Sequence, residues 1–119
     1  MRGRWESMTV YLFNTVAVPI DFDEWDEVKI VLRRITVQEA RDLMKEGFIS
    51  AVGHESTAKI LSQILGIDVP CERRTVFMEP GDIGIHFFLK SRVPEGRVLT
   101  EEEMKDLPYW LVQSLILAP

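Results

Sequence analysis

The residues best suited to chemistry are the contiguous run Gly53, His54, Glu55, Ser56 and Thr57, set where an apolar segment hands over to a helical pattern. A helix start points unpaired backbone N–H groups outward and carries partial positive charge, so it receives phosphate readily. Gly53 would let the backbone approach a ligand closely. Ser56 and Thr57 add hydroxyl donors. A histidine beside such a cradle can protonate a leaving oxygen near neutral pH. On pattern alone, however, a lone histidine at such a junction is more often exposed or structural than catalytic.

Other candidates are weaker. Arg73 and Arg74 could clamp phosphate, although paired arginines ahead of a strand are usually solvated. Arg92 and Glu95 share one loop, where an ion pair competes with a catalytic role. His86 lies inside an apolar run and is expected to be a packing or edge residue. The two histidines lack the i, i+4 spacing of a zinc motif. Cys71 is the sole cysteine, so neither an internal disulfide nor a multi-cysteine metal site can form in one chain. Walker, dinucleotide-binding and calcium-loop motifs are missing from the sequence. No metal and no cofactor are expected.

The elements that must hold these residues are legible in the pattern. Residues 9–13 are β-branched and aromatic and read as a buried strand running into Asn14 and Thr15. Residues 28–35 alternate as a second strand. Thr36 with Glu39 forms a capping box for a helix whose apolar positions are Val37, Ala40, Leu43 and Met44, with Gly47 as its stop. Residues 48–52 suggest a short strand before His54. The following helix has Ile60, Leu61, Ile64 and Leu65 on one face and ends at Gly66. Pro80 and Gly81 suit a type II turn, which predicts an antiparallel hairpin between residues 75–78 and 83–89. Thr100 with Glu103 repeats the capping box, and residues 110–117 read as the last strand. Strands and helices interleave, which predicts an α/β or α+β class built on a mixed sheet.

At 119 residues the chain has the size of one domain. Residues 8–119 are assigned to it, and residues 1–7 to a flexible extension ahead of Met8. The formal charge of -5 argues against tracking long nucleic acid, which needs many cationic contacts to phosphate. A short nucleotide held by a few local cations is compatible. No stretch approaches the roughly 18 apolar residues of a membrane span, and residues 1–7 have no apolar signal-peptide core. A reducing cytoplasm suits the cysteine content.

Over nearly the whole chain from Met8 the sequence resembles the small ring nucleases of archaeal viruses that act as type III anti-CRISPR proteins, and their cellular relatives. The carriers are Tyr11-Leu12-Phe13-Asn14, then Ile49-Ser50-Ala51-Val52-Gly53-His54-Glu55-Ser56-Thr57, then Ser91-Arg92-Val93-Pro94-Glu95-Gly96-Arg97-Val98-Leu99. The resemblance implies a homodimer that cleaves cyclic tetra-adenylate without metal, by attack of a ribose 2′-hydroxyl on the adjacent phosphorus. It further implies His54 as general acid, Glu95 as a second active-site residue and Arg92 as a group supporting the transition state. Asn14 and Arg73 fall at ligand-binding positions, with Gly53, Ser56 and Thr57 lining the phosphate cradle. This chain departs from the viral pattern at Ala17, where serine is usual, and at Phe88, where glutamine is usual.

Two rivals belong to other classes. The same fold could capture the cyclic nucleotide with little cleavage, or the chain could be a small regulatory interaction protein.

Overall fold

The computed structural model describes residues 9–90 and 100–118. In chain order the elements are β1 (Val10–Phe13), β2 (Lys29–Arg34), α1 (Val37–Met44), β3 (Ile49–Ser50), α2 (Glu55–Leu65), β4 (Ile83–Leu89), α3 (Glu101–Lys105) and β5 (Tyr109–Leu117). The strands form one mixed sheet in the order β2-β5-β4-β1-β3. Strand β1 runs parallel to both β3 and β4, whereas β5 is antiparallel to β4 and β2. The α+β class with a mixed sheet is the one expected from sequence.

Local chemistry sets the boundaries. The Thr36 hydroxyl accepts from the Glu39 N–H at 3.1 Å, and the Glu39 carboxylate accepts from the Thr36 N–H at 3.0 Å. That is the reciprocal capping box. Helix α2 ends on Gly66, whose φ of 68° places it in the left-handed region that glycine tolerates. Both helices pack on one sheet face. Ala40 and Met44 of α1 and Ala58, Leu61 and Leu65 of α2 meet Leu12, Ile83, Ile85, Phe87 and Leu111 in the main core. Burying such side chains is worth about 1.5–3 kcal/mol each before entropy is charged.

The opposite face is covered by irregular chain. Val18, Ile20, Trp25 and Val28 from one segment and Val76 and Met78 from another pack on Phe13 and Ile116. Cover is incomplete. Cross-strand partners share a face, so the pairings Leu32↔Ser114 and Phe88↔Trp110 put Leu32, Phe88 and Trp110 on this side. All three are exposed, and the Phe88 and Trp110 rings stack at 5.2 Å.

The expected hairpin does not form. Residues 75–78 are not a strand; Met78 makes a single parallel bridge to Ile20. Strand β4 is instead flanked by β1 and β5, which match it over four and seven residues. The turn itself is present. Gly81 has φ 96°, and the Asp82 N–H donates to the Glu79 carbonyl at 2.9 Å. The Gly81 N–H then bonds the Ile116 carbonyl of β5 at 2.9 Å, so the turn serves a different strand from the one predicted. A local turn signal carries no information about which distant strands compete for β4.

Candidate functional site

Three parallel strands, β4, β1 and β3, direct their carboxyl ends to the same end of the sheet. In open sheets with parallel strands, ligands bind outside those ends. Half-buried Asn14 directly follows β1. The N–H of Ala51 extends the β1–β3 ladder by bonding the Leu12 carbonyl at 2.8 Å, and the chain then passes through Val52 and Gly53 to His54.

His54 is the N-cap of α2, with extended φ and ψ of -122° and 126° and no capping bond from its side chain. Its carbonyl accepts the Ala58 N–H at 3.0 Å. The backbone thus starts the helix while the exposed imidazole stays uncommitted to it. The N–H groups of Glu55, Ser56 and Thr57 precede that first intrahelical bond and are the orphan donors of the helix start. Ser56 and Thr57 are half-buried.

Arg73 comes from a segment twenty residues downstream and is brought to the same place. The buried Ser50 hydroxyl donates to the Pro70 carbonyl at 2.6 Å, and the Glu72 N–H bonds the Val52 carbonyl at 2.9 Å. These two bonds lay residues 70–73 alongside residues 50–53. The Cα, Cβ and Cγ of Arg73 consequently lie 3.6–3.7 Å from where a Cβ on Gly53 would stand. Among the described residues the Arg73 side chain makes no ion pair, whereas Arg74 pairs with Glu72 at 3.5 Å. Residue pattern alone did not separate the two arginines, whereas the resemblance singled out Arg73, the one that the backbone pairing lays against Gly53.

Gly53 has an ordinary backbone conformation. Its φ is not in the positive region that Gly47, Gly66 and Gly81 occupy. A side-chain methyl there would meet Arg73 at ordinary contact distance. No local turn requires glycine, so its role reduces to leaving the helix start open. Arg92 and Glu95 lie outside the described residues; β4, which precedes them, ends at the same end of the sheet as Asn14 and His54.

His86 is a packing residue, as expected, but not an edge one. It is fully buried in the central strand β4 and stacks on Phe13 with ring centroids 5.0 Å apart. Its Nδ1 lies 2.9 Å from the Thr15 carbonyl oxygen and its Nε2 lies 2.7 Å from the Ser114 hydroxyl. A carbonyl can only accept, so Nδ1 carries the proton and Nε2 accepts from Ser114. Burial lowers the His86 pKa from its ordinary value, with the Thr15 carbonyl opposing the shift. No local signal in the sequence pairs residues 15, 86 and 114, because only strand register brings them together.

Two grooves open on the helical side. One, of about 690 Å³, is lined by Gln38, Arg41, Met44, Phe48 and Ile67 among others. The second, of about 510 Å³, runs along α2 past Glu55, Lys59, Ser62 and Cys71. Neither is lined by Asn14, His54 or Arg73.

Fold and site together define a small α+β domain whose parallel strand ends present an uncapped histidine, a helix start and an arginine. Residues 10–111 match the STIV B116-like family, and the chain belongs to that family. It is 37% identical over 108 residues to protein 26 of Sulfolobus islandicus filamentous virus (isolate Iceland/Hveragerdi), covering 87% of this chain and 90% of that one. It is 39% identical over 107 residues to the ORF117 protein of Acidianus two-tailed virus, covering 87% and 88%. The solved structure of B116 from Sulfolobus turreted icosahedral virus superposes with a TM-score of 0.77 at 23% identity, over 90% of this chain and 98% of that one. The last likeness concerns the fold.

Proposed function

We propose that this protein is a metal-independent ring nuclease that opens cyclic tetra-adenylate, acting as a homodimer in the cytoplasm and so switching off type III CRISPR ancillary effectors. The observation that carries this reading is the contact of Arg73 with Gly53, the residue before His54 and the orphan donors of α2. In the proposed step a ribose 2′-hydroxyl attacks the adjacent phosphorus in line. The O2′–P bond forms, the P–O5′ bond breaks, and the 2′-hydroxyl proton departs to solvent or a base. His54, as imidazolium, passes its proton to O5′, leaving a 5′-hydroxyl and a 2′,3′-cyclic phosphate. The helix N–H groups, and Arg92 by resemblance, offset charge on the phosphoryl oxygens, Arg73 holds the bound substrate, and Glu95 joins the site by resemblance. Positioning the attacking hydroxyl in line contributes the rest.

A four-fold ring contains a two-fold axis, so a C2 dimer can present one site to each of two opposite phosphates. The exposed Phe88–Trp110 ring stack supports pairing of copies, since exposed apolar patches mark association surfaces. Incubation of the protein with cyclic tetra-adenylate in chelator tests the reading. Linear products support it, and intact ligand at protein excess defeats it. Retention of uncleaved ligand would favour a binding module, a second reading motivated by the departures from the resembled pattern at Ala17 and at Phe88, whose ring stacks on Trp110.

A further inference from the structure

Fully buried polar pairs need a reason, because an apolar pair of similar shape costs no hydrogen-bond matching. The His86–Ser114 pair is such a case. Both residues are 0% exposed. The space around them is close-fitted: a Cβ on Gly84 would fall 2.6 Å from His86 Nε2 and still closer to the Ser114 hydroxyl. Phe13 stacks on the ring from β1. The arrangement fixes the imidazole from three strands, and the fixed ring directs a single N–H outward to one acceptor, the Thr15 carbonyl.

That acceptor matters because of its place. Thr15 follows Asn14 at the carboxyl end of β1, and the strand pairing of β1 with β4 ends at Phe13↔His86. Beyond that pair, β1 has no further ladder partner in β4. Just past it, the His86 ring bonds the Thr15 carbonyl. We infer that His86 is a positioning residue: its Nδ1–H, locked by Ser114, pins the Thr15 carbonyl and thereby sets the course of Asn14 into the ligand site. The pin stands on geometry alone, while its consequence for ligand rests on the cyclic-nucleotide reading above.

Two substitutions separate the two ends of the ring. Asparagine places a donor near the Nδ1 position and loses the Ser114 contact. Glutamine reaches toward Ser114 and loses the Thr15 contact. The test compares His86→Asn and His86→Gln in the full chain by hydrogen exchange over residues 14–17, by melting temperature, and by affinity for cyclic tetra-adenylate. Both variants leave some empty volume, so both melt lower. His86→Gln is expected to raise exchange at residues 14–17 and weaken affinity by about tenfold or more. His86→Asn should restore both readings to within a few-fold of the parent. Equal exchange and equal affinity loss in the two variants, or unchanged exchange in His86→Gln, would overturn the positioning role. If the parent protein does not bind the cyclic nucleotide, the ligand reading fails, and the exchange comparison still decides the pin.

Discussion

Arg73 lies flat against Gly53, its Cγ 3.6 Å from the position a Gly53 Cβ would take, although twenty residues separate them. The contact follows from Ser50 and Val52, which bond Pro70 and Glu72. An arginine with no ion pair among the described residues is thereby held beside the start of α2.

Removing the Ser50 hydroxyl should loosen that contact. Ser50→Ala leaves the Pro70 carbonyl without its donor in a part-buried setting and should cost roughly 1–3 kcal/mol of stability. Chemical denaturation measures that cost. KM for cyclic tetra-adenylate should rise, with kcat changed less, because Arg73 binds rather than transfers a proton.

At Gly84 a methyl group has no room. Gly84→Ala would drive a Cβ into Ser114 and His86, and overpacking of this kind costs about 1–3 kcal/mol. A urea unfolding curve should show a lower midpoint with unchanged slope. Gly53→Ala is the contrast: the space is ordinary and φ is not positive, so stability should shift by no more than about 0.5 kcal/mol.

The pH dependence of stability has a definite sign at His86. Burial depresses its folded-state pKa below the ordinary value of about 6.5. As pH falls below that value, the unfolded chain takes up a proton that the folded chain still refuses. Stability from this residue is therefore complete above about pH 6.5 and declines as pH falls toward the folded-state pKa. Denaturation midpoints between about pH 7 and pH 5.5 should fall in the parent and fall less in His86→Asn.

Association can be read at the open sheet face. Trp110→Glu places a charge beside Phe88, where the parent exposes an apolar ring stack. Sedimentation should give a dimer for the parent and a lighter species for the variant. A monomeric parent, with and without ligand, would exclude the two-site arrangement.

How much of this was legible in the sequence depends on whether the cause is local. The α1 cap at Thr36, the Gly66 stop and the helical start after His54 are set by neighbours within a turn, and the residues announce them. The sheet partners are not local. Pro80 and Gly81 specify a turn, but nothing near them says that β4 is claimed by β1 and β5, and the expected hairpin was lost to those pairings. The site divides the same way. Gly53 and His54 are visible as a run, whereas the contact of Arg73 with Gly53 and the Thr15–His86–Ser114 link arise only from the tertiary pairing of distant segments.

The most direct measurement is a single-turnover reaction of excess protein with cyclic tetra-adenylate in chelator, its products resolved by mass and end group. The proposed mechanism predicts linear fragments with 5′-hydroxyl and 2′,3′-cyclic phosphate ends. It also predicts that His54→Ala slows their formation by roughly 10²-fold or more while ligand binding persists. Intact ring with the parent protein, or unchanged cleavage by His54→Ala, would contradict it.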